Sequence, residues 1–110
     1  MSYTKIEIKG YNCSLFSSAK NPAKISLIDE NGNYFATAYF RPSKEILKQA
    51  YIDSTGKYRL YYYRSYMSDL IDLLRNEKPL YLWFWDDGTS NTNINNTSIS
   101  TSREPVGESE

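Results

Sequence analysis

Residues 57–85 read KYRLYYYRSYMSDLIDLLRNEKPLYLWFW, and this stretch decides the fold. Its middle predicts a helix over residues 66–77. Met67, Leu70, Ile71 and Leu74 recur at i, i+3, i+4 and i+7, which places them on one helical face. Tyr66 and Leu73 widen that stripe, while Ser68, Asp69, Asp72, Arg75 and Asn76 make the opposite side. Ser65 is the expected N-cap, Asp69 suits the positive end of the helix dipole, and Arg75 and Lys78 suit the negative end. Pro79 stops the helix because it lacks an N–H and restricts Lys78.

On either side, residues 58–63 and 80–85 are short, aromatic and bounded by turn signals, which is strand chemistry. In the second, Leu80, Leu82 and Phe84 share one face, and Tyr81, Trp83 and Trp85 the other. Both faces are apolar. Two readings stay open: an interior strand covered on both sides, or an aromatic platform for a ligand or partner.

Toward the N-terminus, Ile6 and Ile8 alternate with Lys5, Glu7 and Lys9, which reads as a half-buried strand. Residues 11–16 continue it after Gly10, a place where a bulge is expected. Residues 24–28 and 34–41 are two further strands joined by Asp29-Glu30-Asn31-Gly32-Asn33. Asn-Gly is a strong hairpin signal because both residues tolerate positive φ. Residues 42–51 are ambiguous: Ser43 would cap a short helix with Ile46, Leu47 and Ala50 inward, yet two turns are marginal without packing. Asp53-Ser54-Thr55-Gly56 turns the chain into the next strand.

After Trp85 the composition changes. Asp86-Asp87-Gly88 reads as a turn, and 12 of residues 89–102 are Ser, Thr or Asn. A tract of that kind resists folding on its own. The Thr/Ser alternation around Ile99, over residues 97–102, instead predicts an edge strand bonded to residues 80–85. The sum is an α+β fold with a mainly antiparallel, strongly curved sheet or partly open barrel of about six strands, and one main helix on one face. All 110 residues form a single domain, with the polar tract 88–102 and the tail 103–110 docked on it.

Composition narrows the chemistry. No histidine is present, which removes the usual general base near neutral pH and the commonest metal ligand. Cys13 stands alone, so no internal disulfide forms, which fits a reducing compartment. Asp86-Asp87 is the one adjacent aspartate pair, and a turn explains it better than a cation site or acid/base catalysis. With no phosphate-loop pattern either, the expectation is a protein that is not an enzyme and uses no cofactor and no metal. The 13 basic and 13 acidic residues cancel, which disfavours duplex DNA, since phosphate neutralisation supplies most of such affinity. No apolar run reaches membrane-spanning length and the N-terminus carries no apolar leader, so a soluble, cytoplasmic protein is expected.

The unusual ingredient is 11 Tyr, 4 Phe and 2 Trp. Tyrosine offers large contact area at low entropic cost and keeps a polar tip, which suits interfaces. On a strand, Lys57, Arg59, Tyr61 and Tyr63 share one face, with Arg64 following. These five residues, with Tyr81, Trp83 and Trp85, form the candidate surface. The expected function is a non-catalytic interaction module that acts through an aromatic-rich sheet face, as a homo-oligomer or with another protein. The alternative is single-stranded DNA or RNA binding, with bases stacked on the rings and the cations tracking phosphates.

The run LLRNEKPLYLWF (residues 73–84), followed by STSREPVGE (residues 100–108), resembles a group of short, uncharacterised bacterial proteins. The resemblance spans roughly the second half of the chain. It implies that the tail belongs to the domain, and it carries no activity and no catalytic residue.

Overall fold

A computed structural model describes residues 2–17, 23–42, 44, 46–86 and 94–101. Among them the strands are β1 (Ser2–Glu7), β2 (Gly10–Leu15), β3 (Ala23–Ile28), β4 (Tyr34–Arg41), β5 (Tyr51–Ile52), β6 (Tyr58–Tyr63), β7 (Leu80–Asp86) and β8 (Asn95–Thr101). A 3-10 turn at Arg64–Tyr66 leads into the α-helix α1 (Met67–Asn76). The fold is α+β and mostly antiparallel, as the sequence predicts. It differs in that the strands form two sheets, ordered β1-β7-β8 and β2-β3-β4-β6-β5, rather than one strongly curved sheet of about six.

The division arises at Gly10's predecessors. Ile8 donates its N–H to the Leu80 carbonyl at 2.8 Å, while Lys9 donates to that of Ile28 at 2.8 Å. Adjacent residues therefore belong to different sheets, and the expected bulge is a change of sheet. Ile94 N–H meets the Ala50 carbonyl at 3.0 Å and ties the approach to β8 to the approach to β5. Residues 46–50 are irregular rather than helical, and through the Ala50 carbonyl their end is tied to the approach to β8. Ile46 is 92% exposed, so the inward-facing short helix is wrong there, and its proposed cap, Ser43, lies outside the described residues.

One pair breaks the antiparallel rule. β4 and β6 run parallel, with Ala38 opposite Leu60 and Tyr39 opposite Tyr61. The chain leaves β4, passes to β5 on the far side of β6, and returns through an antiparallel β5–β6 turn. Its return direction is therefore that of β4.

Alternation sets the core. Ile25, Leu27, Ala38, Phe40 and Leu60 of the larger sheet join Leu80, Leu82 and Phe84 of the smaller in one buried cluster. Tyr58 of β6 meets Phe84 of β7 with ring centroids 4.9 Å apart, so the two inner faces touch. On α1, Leu70 is buried, and Met67, Ile71, Leu73 and Leu74 pack against the cluster at the predicted spacing. Ser65 is not the cap; it sits inside the 3-10 turn, and Tyr66 occupies the cap position without a side-chain bond. β8 pairs with β7 as predicted, with Ile99 opposite Leu82. The Asp87-Gly88 part of the predicted turn and the docked tail lie outside the described residues.

Candidate functional site

The candidate residues fall on two surfaces, one on the outside of each sheet. On the larger sheet, β6 alternation turns Arg59, Tyr61 and Tyr63 away from the core. Register adds what sequence spacing alone does not show: Tyr39 of β4 lies beside Tyr61, Arg41 beside Tyr63, and Tyr51 of β5 beside Arg59. The rings of Tyr39 and Tyr61 stack at 5.5 Å and 24°, and those of Tyr61 and Tyr51 at 6.4 Å and 21°. The result is a row of three near-parallel tyrosines. The Arg41 guanidinium and the Lys48 ammonium lie 5.4 and 5.9 Å from the Tyr61 centroid. Burial, together with a hydrogen bond to Tyr51, pushes the Tyr61 hydroxyl up to about 12.

The row is braced from the turn before β6. Arg59 Nε and Nη2 each sit 2.7 Å from Asp53 Oδ2, and Nη1 donates to the Tyr39 hydroxyl at 2.7 Å. The other Asp53 oxygen accepts from the Thr55 hydroxyl at 2.6 Å, the Thr55 N–H at 2.9 Å and the Lys57 N–H at 3.0 Å. The Thr55 hydroxyl first, then the Lys57 N–H and the Arg59 guanidinium, hold the Asp53 carboxyl well below the usual carboxylate range, against the opposing effect of desolvation. Gly56 closes this turn at φ +83°. Asp53 is the residue that sequence reasoning missed. It reads as a turn former, which it is, and nothing local marks its second oxygen as the partner of a residue six positions on.

Lys57 and Arg64 are exposed at the two ends of β6, and Tyr63 is half-buried between them and the ladder. Arg59, by contrast, turns each of its three nitrogens to a partner inside the molecule.

Tyr81, Trp83 and Trp85 do not border this surface. They line the outer face of the smaller sheet, beyond the shared core, because β7 pairs with β1 and β8 and not with β6. All three are half-buried, while Leu80, Leu82 and Phe84 opposite them are buried. β7 is thus the central strand of its sheet, with one face buried and one aromatic face half-buried. Tyr81 and Trp83 meet edge-on at 5.9 Å, and Lys5, opposite Trp83 in register, holds its Nζ 4.7 Å from the Tyr81 centroid and 5.4 Å from that of Trp83.

A cleft of about 330 Å³ separates α1 from β8, lined by Tyr62, Tyr66, Asp69, Leu70, Leu73, Thr97, Ser98 and Ile99. Asp69 is its single carboxylate. Tyr62 stacks on Phe40 at 6.0 Å, and burial pushes its hydroxyl up to about 12. Among the described residues no group of three or more His, Cys, Asp or Glu is placed to hold a metal ion, and no helix is long and apolar enough to cross a membrane.

No family model, no curated protein and no solved structure matches this chain.

Proposed function

We propose that this chain is a non-catalytic cytoplasmic module that works by protein contacts, recognises its partner on the Tyr39–Tyr61–Tyr51 row, and self-associates. One observation carries the reading: the row is held before any partner arrives. Three rings stack at 5.5 and 6.4 Å, and the Arg59–Asp53 pair fixes the outer hydroxyl of Tyr39 through a 2.7 Å bond. Side chains ordered in advance lose less entropy on binding, typically about 0.5–1.5 kcal/mol for each one spared. Tyrosines so presented are the usual anchors of protein interfaces.

Single-stranded nucleic acid is the second reading, favoured by the Arg41 and Lys48 cations at 5.4 and 5.9 Å from Tyr61. Arg59 weakens it, since each of its three nitrogens already holds a bond to Asp53 or Tyr39. Two measurements separate the readings. Sedimentation velocity over a wide range of concentration should show reversible self-association; a strict monomer throughout would remove that part of the proposal. Anisotropy of a labelled single-stranded oligonucleotide should stay flat at low salt. Saturable binding that collapses with salt and is lost in Lys48→Ala would put the nucleic-acid reading first.

A further inference from the structure

The larger sheet ends in a strand whose outer edge is unpaired among the described residues. β2 is its terminal strand, and no described residue pairs with its outer edge. Natural edge strands are usually protected by charges, proline, bulges or shortness. β2 has six residues, GYNCSL, with neither charge nor proline, and its pairing with β3 runs without a shift. The other edges differ: β1 carries Lys5 and Glu7, β5 has two residues, and β8 is flanked by α1 across the cleft. At the end of β2, Leu15 is 71% and Phe16 44% exposed.

We infer that β2 pairs antiparallel with β2 of a second copy of this chain, about a two-fold axis at Cys13. The inference rests on the self-association proposed above and names its surface. A two-fold axis perpendicular to a continuous sheet keeps each face on its own side, so the residue numbers of directly opposed positions add to an even number. With the axis at Cys13, Leu15 faces Tyr11 of the second copy, Phe16 faces Gly10, Asn12 faces Ser14, and Cys13 faces itself. Apolar then meets half-buried apolar, amide meets hydroxyl, and an aromatic ring covers a strand glycine, which is a favoured cross-strand pairing. Moving the axis to Asn12 sets Leu15 against Lys9, and moving it to Ser14 sets Phe16 against Asn12. Both waste the exposed apolar side chains. β2 is uncharged and the chain's 13 basic and 13 acidic residues balance, so two copies approach without net repulsion. The pairing yields a ten-stranded sheet with both tyrosine rows on the same side, a doubled platform for one partner.

Cys13 is exposed and reports the register. Opposed residues of an antiparallel pair have Cα atoms about 4.5–5.5 Å apart, within disulfide reach. The experiment compares wild type, Leu15→Lys, Cys13→Ser and Tyr61→Ser by sedimentation velocity under reducing conditions. Wild type and Leu15→Lys are also treated with diamide, which accepts the two hydrogens released as two thiols join. The expected result is a reversible dimer for wild type, Cys13→Ser and Tyr61→Ser, at least a tenfold loss of association in Leu15→Lys, and rapid disulfide dimerisation of wild type only. Leu15 is already exposed, so its replacement leaves folding intact, which circular dichroism checks. A dimer that survives Leu15→Lys and fails in Tyr61→Ser would overturn the edge pairing while leaving the aromatic-face reading in place. A dimer broken by Leu15→Lys whose Cys13 thiols do not cross-link would overturn the Cys13 axis. A monomeric wild type would overturn the pairing and the self-association together, leaving recognition of another protein by the tyrosine row.

Discussion

The two outer faces contain the same ingredients, aromatic rings and a cation, and hold them by different physics. On the larger sheet the Arg59 guanidinium is fixed by Asp53 and in turn fixes Tyr39, so the tyrosine row is part of a bonded network. On the smaller sheet Lys5 lies over Tyr81 and Trp83 through ring contacts. A half-buried, charge-assisted hydrogen bond has a fixed direction. A cation over a ring has a broad, shallow minimum worth about 0.5–1 kcal/mol when exposed. The comparison teaches that equal ring content can be held in two ways, and that an anion which immobilises the cation is what fixes the rings on the larger sheet.

The sharpest way to break the comparison is through what both faces share. Leu82→Ala removes a side chain that is 0% exposed at the junction of the sheets and should cost about 2–5 kcal/mol in urea unfolding. Because the core is common, tyrosine and tryptophan signals should shift together, although Trp83 and Trp85 report one sheet and the tyrosine row the other. Separate transitions would mean that the sheets fold independently.

Next in size is the ion pair. Arg59→Met should destabilise more than Lys5→Met, since it strands the Asp53 carboxylate beside a half-buried surface. Equal losses would erase the distinction between the faces. The same carboxylate sets an acid limit. Its folded pKa lies below the unfolded value of about 3.9, so the unfolded chain binds more protons as pH falls. The stability it supplies is complete above that value and is lost below it. Asp53→Asn should flatten this part of the pH profile.

At the alkaline end the sign reverses. Tyr61 and Tyr62 are raised to about 12, so their contribution is complete below the ordinary tyrosine value of about 10 and fades as pH climbs toward 12. Tyrosinate absorbance should show a late phase, which Tyr61→Phe reduces by one group. The smallest effect is Lys5→Met, about 0.5–1 kcal/mol with a change in tryptophan emission; a larger loss would show that Lys5 is held by more than the rings.

Local readings carried well. Asn31-Gly32 turns the β3–β4 hairpin with Gly32 at φ +81°, and Asp29 accepts from the N–H groups of Asn31 and Asn33 just as Asp53 does in the turn before β6. The apolar face of α1 and the strand character of β8 follow from spacing, and the expected partner of β8, β7, is the one it has. The failures are of a different kind. Ser65 was displaced from its cap by one 3-10 turn, and a strand of two residues, β5, is too short to show periodicity.

The sequence by itself determined the longer strands, the helix and the turns, though not β5 or the irregular residues 46–50, and which side chains share a face, because those properties depend on neighbours a few residues away. Tertiary structure decided the division into two sheets, the parallel β4–β6 pair, the meeting of Tyr39, Tyr61 and Tyr51, and the capture of Arg59 by Asp53. Alternation assigns a side chain to a face but does not choose the strand beside it. That choice is made by the packing of Ile25, Phe40, Leu60 and Leu82 into one core, where residues far apart in the chain compete for the same buried space.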